Sequence, residues 1–226
     1  IRNVAKYAIF SHRWLNEGEP SFQDMLQEQT PTGPGYDKFT RFCKIANSYG
    51  CLFAWTDTCC INKESSTELE EAIRSMFRWY SNAHVCIAYL ADSSSPEDFK
   101  NDVWFTRGWT LQELLAPKMV RFFGAGWQYL GDRDDIGNGG KFTALISAVT
   151  TIPVVDLQRF RPGRDRVHEK MRWAARRKTT RVEDVAYCLL GIFDVSLTVA
   201  YGEGKQAWTR LMEAIIQGCD EWQVFA

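Results

Sequence analysis

Trp109 and Glu113 stand four residues apart in Trp109-Thr110-Leu111-Gln112-Glu113, a spacing that sets an aromatic ring and a carboxylate on one face of a helix. Alone the pair is weak, because a core Trp and a solvent-facing Glu share many helices. Other polar residues supply what such a pair would need. Ser11-His12-Arg13-Trp14 offers a hydroxyl, an imidazole, a guanidinium and an indole in succession. Arg13 has the fork geometry to hold a phosphate through two hydrogen bonds, and Trp14 can stack on a base; a surface ion pair is the alternative for Arg13. His12 is either a donor to a ligand or a hydrogen-bonded structural ring. Asp57, in Trp55-Thr56-Asp57-Thr58-Cys59-Cys60, either holds a sugar hydroxyl or caps a turn. Arg107 can reach a phosphate, or pair with Asp102 or Glu113 and lower that carboxylate's pKa.

These residues make a site only if the fold gathers them. Tyr7–Phe10, Cys51–Trp55, Val85–Leu90 and Met119–Phe123 are short apolar runs that read as buried strands. Between them Phe39, Phe42, Cys43 and Ala46 share a helical face that Gly50 stops. Leu69, Ile73, Met76, Phe77 and Tyr80 share another, opened by a Ser65/Glu68 capping box. Thr106–Leu115 reads as a short helix ended by Ala116-Pro117. The alternation predicts a doubly wound parallel sheet of four or five strands over residues 1–130, with Tyr7–Phe10 central and Trp127–Leu130 as a candidate extra strand. Residues 131–226 read as a helical portion packed on that core. Its helices cover Phe142–Val149, Val167–Ala175, Val182–Leu190 (behind a Thr180/Glu183 box) and Trp208–Ile216, with Gly137–Gly140 as a loop. Ligands of such sheets bind beyond the carboxyl ends of the strands. That predicts a cleft lined by Ser11–Trp14, Asp57 and the helix bearing Trp109 and Glu113.

Composition excludes more than it assigns. With 226 residues, 45% of them hydrophobic, the chain can bury one substantial core. A net charge of −1 gives no basic field for nucleic acid. The apolar runs Val85–Ala91 and Ala186–Phe193 fall far short of the roughly 20 residues of a membrane span, and no signal-peptide apolar region follows Ile1-Arg2-Asn3-Val4. Seven cysteines, an odd number set mostly in apolar runs, read as reduced core thiols of a cytoplasmic protein. Cys59-Cys60 lacks the neighbouring His or Cys that a zinc site needs, so no metal is expected; His84 and His168 read as structural. Gly124-Ala125-Gly126, Gly137–Gly140 and Gly202-Glu203-Gly204-Lys205 have neither the spacing nor the context of phosphate-binding loops. Arg172, Arg176, Arg177, Lys178 and Arg181 read as a solvated helix face.

Several segments together resemble the fungal heterokaryon-incompatibility (HET) domain. They are Tyr7–Trp14, Trp55–Lys63, Ser75–Tyr80 and Trp104–Leu114, continued by Arg177–Tyr187 and Tyr201–Gly204 in the tail, so the resemblance spans nearly the whole chain. HET domains in turn resemble TIR domains, flavodoxin-like signalling modules of which some cleave NAD, and Trp109-x-x-x-Glu113 is the point of contact. The resemblance implies a flavodoxin-like (TIR-like) doubly wound parallel sheet with a helical C-terminal extension. It implies NAD or a related nucleotide as substrate, no cofactor, Glu113 as the catalytic carboxylate, and Ser11, His12, Arg13, Trp14, Asp57, Arg107 and Trp109 as substrate-binding residues. The chemistry suits a single carboxylate. Nicotinamide leaves a cationic precursor as a neutral ring and needs no general acid, while positive charge develops on the ribose and is stabilised by one anion. The resemblance further implies a role in vegetative incompatibility and programmed cell death, self-association, and a downstream nucleotide-binding and repeat regulatory region in the full-length protein. The Ser11–Trp14 loop and the helical tail depart from TIR domains, which leaves substrate contacts open. Two other readings stand beside this one: a non-catalytic homotypic interaction module, and a cysteine hydrolase using Cys59 or Cys60 with His12.

Overall fold

A computed structural model describes residues 5–27, 31–135 and 140–219; Ile1–Val4 and the loop residues 137–139 lie outside them. The first part of the chain runs β1 (Tyr7–His12), α1 (Phe22–Leu26), α2 (Pro34–Ser48), β2 (Phe53–Trp55), α3 (Ser66–Asn82) and β3 (Val85–Tyr89). Two 3-10 turns, Pro96–Asn101 and Val103–Thr106, lead into α4 (Thr110–Leu115), β4 (Val120–Phe123) and β5 (Tyr129–Asp132). The sheet is mixed, in the order β2-β1-β3-β4-β5. β1 pairs in parallel with β2 and β3, and β3 in parallel with β4. β5 is antiparallel to β4, which corrects the expectation of a wholly parallel sheet. The Gly124–Gln128 link is too short for a crossover, so the chain can only fold back beside the strand it has just left. β3, rather than β1, is the middle strand.

β1 and β3 are buried on both faces, which is why they read as unbroken apolar runs. Ala8, Phe10, Val85, Ile87 and Phe123 meet Phe42 and Ala46 of α2 on one face. Ile9, Cys86, Ala88, Val120 and Phe122 face a larger cluster that takes in α3, α4 and the tail. The tail helices are α5 (Lys141–Thr150), α6 (Val154–Arg159), α7 (Val167–Ala174), α8 (Asp184–Tyr187), α9 (Leu190–Phe193) and α10 (Gln206–Ile216). Because Trp173, Tyr187 and Leu211 belong to the same cluster as Ile9 and Phe122, sheet and tail share one core.

Two expected helices differ in ways that matter for the site. The segment Thr106–Leu115 is interrupted at Arg107-Gly108, where the backbone pairs with the tail instead. Gly108 N donates to Lys178 O at 2.8 Å and Lys178 N to Thr106 O at 2.6 Å. A Cβ on Gly108 would lie 2.5 Å from Thr179 Cγ2, so this approach needs glycine. The segment Val182–Leu190 forms two short helices rather than one. The Glu183 carboxylate that was to close a capping box accepts instead from Gly202 N (2.9 Å) and Gly204 N (3.0 Å). At α3, Ser65 does cap Glu68 N, but the Glu68 carboxylate turns to Asn62 N. All seven cysteines are free. Among the described residues no helix is long and apolar enough to cross a membrane.

Candidate active site

Glu113 is fixed from two directions. At the carboxyl end of β1 the Ser11 hydroxyl donates to Glu113 Oε2 at 2.5 Å and accepts from Trp104 Nε1 at 2.9 Å. Trp104 is held in turn by Asp102, which caps its 3-10 turn through Trp104 N at 2.9 Å and takes a second bond from the Ser93 hydroxyl. From the tail, Arg177 donates to Arg107 O at 3.0 Å and Thr110 Oγ1 at 2.8 Å, pinning the start of α4. Trp109 has helical backbone angles, and Glu113 N donates to its carbonyl at 3.4 Å, so ring and carboxylate do share one helical turn.

Glu113 is 8% exposed. Burial raises its pKa from an ordinary 4.5 to about 7, against the opposing pull of the Ser11 hydrogen bond and of Arg107 and Arg177. Burial also draws the Arg177 guanidinium down to about 10, which leaves it charged.

Across the cleft, His12 stacks on Phe10 with ring centroids 4.1 Å apart. Its Nε2 lies 3.2 Å from Thr56 Oγ1 and 3.6 Å from Asp57 Oδ1. Burial lowers the His12 pKa by more than Asp57 raises it, so the ring is neutral. Asp57 accepts from Trp14 Nε1 at 3.0 Å, and Lys63 Nζ sits 3.9 Å from the Trp14 ring centroid. Desolvation pushes the Asp57 pKa up, but His12, Lys63 and Trp14 outweigh it and leave the carboxylate below its usual range.

His12, Trp14, Asp57, Arg107, Trp109 and Glu113 thus line a single cleft of about 530 Å³, a volume suited to a small organic ligand. Its apolar floor is Ile61, Leu69, Ile73 and Met76. Two predicted binding residues are elsewhere. Ser11 is fully buried, hydrogen-bonded to Glu113, and does not line the cleft. Arg13 is off the cleft wall, with its guanidinium 3.2 Å from Asp92, the surface ion pair that was its alternative. A larger cavity of about 690 Å³, between α3 and α9 at Glu70, Arg74 and Asp194, holds none of the predicted residues.

Sequence reasoning missed Lys63 and the whole tail wall: Lys178, Thr179, Thr180, Arg181, Asp184 and Tyr201. The basic run is a solvated helix face only at Arg172, exposed on α7. α7 ends at Ala174, Arg177 turns inward, and Lys178 joins the bridge to Arg107. The one usable signal was the loss of helical apolar spacing after Ala175. Cys59 is buried, and the hydrogen bond of His12 Nε2 goes to Thr56 rather than to a thiol, so no cysteine–histidine pair forms. Among the described residues no cluster of His, Cys, Asp or Glu is placed to hold a metal.

A family model described as heterokaryon incompatibility protein (HET) matches residues 7–102. The chain is also 44% identical, over 226 aligned residues and 94% of its length, to the vegetative incompatibility protein HET-E-1 of Podospora anserina. The chain carries a HET domain. The family match ends just before α4, so Glu113 and the tail wall of the cleft lie beyond it. The likeness to HET-E-1, at 94% of the chain, necessarily takes in most of the tail. The chain spans 16% of the length of that relative. No solved structure matches the chain.

Proposed function

We propose that this HET domain is an effector of fungal vegetative incompatibility and cell death that hydrolyses NAD, or a related nucleotide, at the nicotinamide–ribose bond. The observation that carries this reading is the Glu113 carboxylate. It is oriented by Ser11 and lines a cleft together with Trp109 and Trp14. The strand order β2-β1-β3-β4-β5 is that of flavodoxin-like sheets and supports the TIR-like interpretation.

In this scheme the bond between ribose C1′ and the nicotinamide nitrogen breaks with its electron pair going to the ring, which leaves neutral. The ionised Glu113 stabilises the positive charge left on the ribose. Water then adds at C1′ and releases a proton, giving ADP-ribose and nicotinamide. Ser11 is a positioning residue: its hydroxyl, directed by the Trp104 indole, presents one hydrogen to the carboxylate. The Trp14 and Trp109 rings offer stacking faces, and Asp57 an acceptor for a ribose hydroxyl. The cationic nicotinamide favours the ionised form of Glu113 as it enters, which offsets the burial that raises the pKa.

The relative is far longer than this chain. We place a nucleotide-binding and repeat regulatory region downstream in the full-length protein, acting in the cytoplasm by bringing HET domains together. The test is incubation of the protein with NAD over a wide dilution series, with nicotinamide and ADP-ribose quantified by chromatography. Both products should form, with specific activity rising with protein concentration. Absence of nicotinamide at every concentration would favour a non-catalytic homotypic module.

A further inference from the structure

Cations in and around the cleft fall into two groups. Lys63 is engaged by the Trp14 ring and by Thr58 O at 3.2 Å. Arg13, off the wall, is taken by Asp92. On the opposite side the tail arm runs alongside Arg107 and is locked there. The two backbone bonds that join Lys178 to Thr106 and Gly108 hold its course, and the Arg177 guanidinium clamps Arg107 O, Thr110 Oγ1 and Trp173 O. Arg107 and Lys178 are bridge partners in this short parallel pairing, and paired residues present their side chains on the same side. Both line the cleft, as does Arg181. Arg107 Nε is buried without a hydrogen-bond partner, and the exposed Lys178 side chain makes no ion pair among the described residues. Arg181 lies over the ring of Tyr201, another lining residue, its guanidinium carbon 4.2 Å from the centroid.

We propose that this wall is a diphosphate subsite: Arg107, Lys178 and Arg181 bind the 5′-diphosphate of a nucleotide, and the tail is therefore part of the substrate site rather than a cover for the sheet. Arg107 feels Glu113, and Arg181 feels Glu183 and Asp184, but neither cation is taken up in a close ion pair among the described residues, and guanidinium and ammonium groups with donors still open are those that phosphate oxygens favour. The identity of the ligand as a dinucleotide rests on the hydrolase reading; the preference of the wall for a diphosphate does not. Because Arg107 and Glu113 share the segment that Arg177 pins, a diphosphate held here fixes the attached ribose relative to the carboxylate.

The test is calorimetric titration with ADP-ribose, which lacks the scissile bond, and with adenosine, which lacks phosphate. The wild type should bind ADP-ribose, more weakly as salt is raised. Lys178→Gln and Arg181→Gln lie at exposed positions and should leave the thermal unfolding profile unchanged. Each should weaken ADP-ribose binding about tenfold, the loss expected for one charge-assisted hydrogen bond, and leave adenosine binding unaltered. Lys178→Arg should keep the affinity. Equal ADP-ribose affinity in the wild type and the Lys178→Gln/Arg181→Gln double variant overturns the proposal, as does a wild type that binds no ADP-ribose. A wild type that binds ADP-ribose through these charges yet releases no nicotinamide from NAD would sink the hydrolase and leave the subsite standing.

Discussion

Replacing Glu113 by Gln should make the HET domain more stable even as it removes the proposed activity. The carboxylate is 8% exposed, and burial raises its pKa from 4.5 to about 7 in spite of the Ser11 hydrogen bond. A folded state with the higher pKa binds the proton more tightly than the unfolded chain. Stability is therefore undiminished below about pH 4.5, falls as pH rises, and carries the full penalty above about pH 7. At about 1.4 kcal/mol per pH unit of that window, the ionised side chain costs about 3 kcal/mol. Glutamine keeps the shape and can still accept the Ser11 hydrogen bond, while its buried amide hydrogens cost about 1 kcal/mol. The net gain at pH 8 is about 2 kcal/mol, or roughly 4–8 °C in Tm for a chain of this length. Near pH 4.5 the native carboxyl is already protonated and the advantage disappears. Thermal unfolding of both proteins at pH 4.5 and pH 8 checks this. A variant less stable than wild type at pH 8, or a difference that is the same at both pH values, would refute the argument from burial.

The same carboxylate predicts that kcat/KM for NAD rises with pH through a limb near 7, since the free enzyme must ionise Glu113; a limb at pH 4–5 would mean a solvated carboxylate. Cys59→Ser and Cys60→Ser should retain most NAD cleavage, because His12 hydrogen-bonds Thr56 rather than a thiol; a loss beyond about 100-fold in both, with folding intact, would bring thiol chemistry back. Arg177→Met removes the bonds to Arg107 O, Thr110 Oγ1 and Trp173 O. It should cost about 2–3 kcal/mol in denaturant unfolding and raise KM. Unchanged stability would show that the tail arm holds its place without the clamp.

What the sequence revealed was local. β1, β3 and β4 announce themselves as apolar runs because their residues are buried, and α2 and α3 by helical spacing with Ser65 and Gly50 at their ends. The cleft position followed from strand ends: His12 closes β1, and Trp14 and Asp57 lie just past β1 and β2. What escaped depended on distant partners. Nothing near Arg13 points to Asp92, nothing near Glu183 points to Gly202 and Gly204, and nothing near Arg107 points to Lys178, seventy-one positions on. The spacing of Trp109 and Glu113 was legible, but the burial that sets the Glu113 pKa was not, because Ser11, Trp104 and Arg177 converge on it from three parts of the chain.

The most direct measurement of the central claim is nicotinamide release from NAD by concentrated wild-type protein and by the Glu113→Gln variant, both verified as folded. The wild type should release nicotinamide and the variant should do so at a rate lower by a factor on the order of 10²–10³ or more, the loss expected when the charge that stabilises the ribose cation is removed. Equal rates of nicotinamide release from the two proteins would contradict that claim.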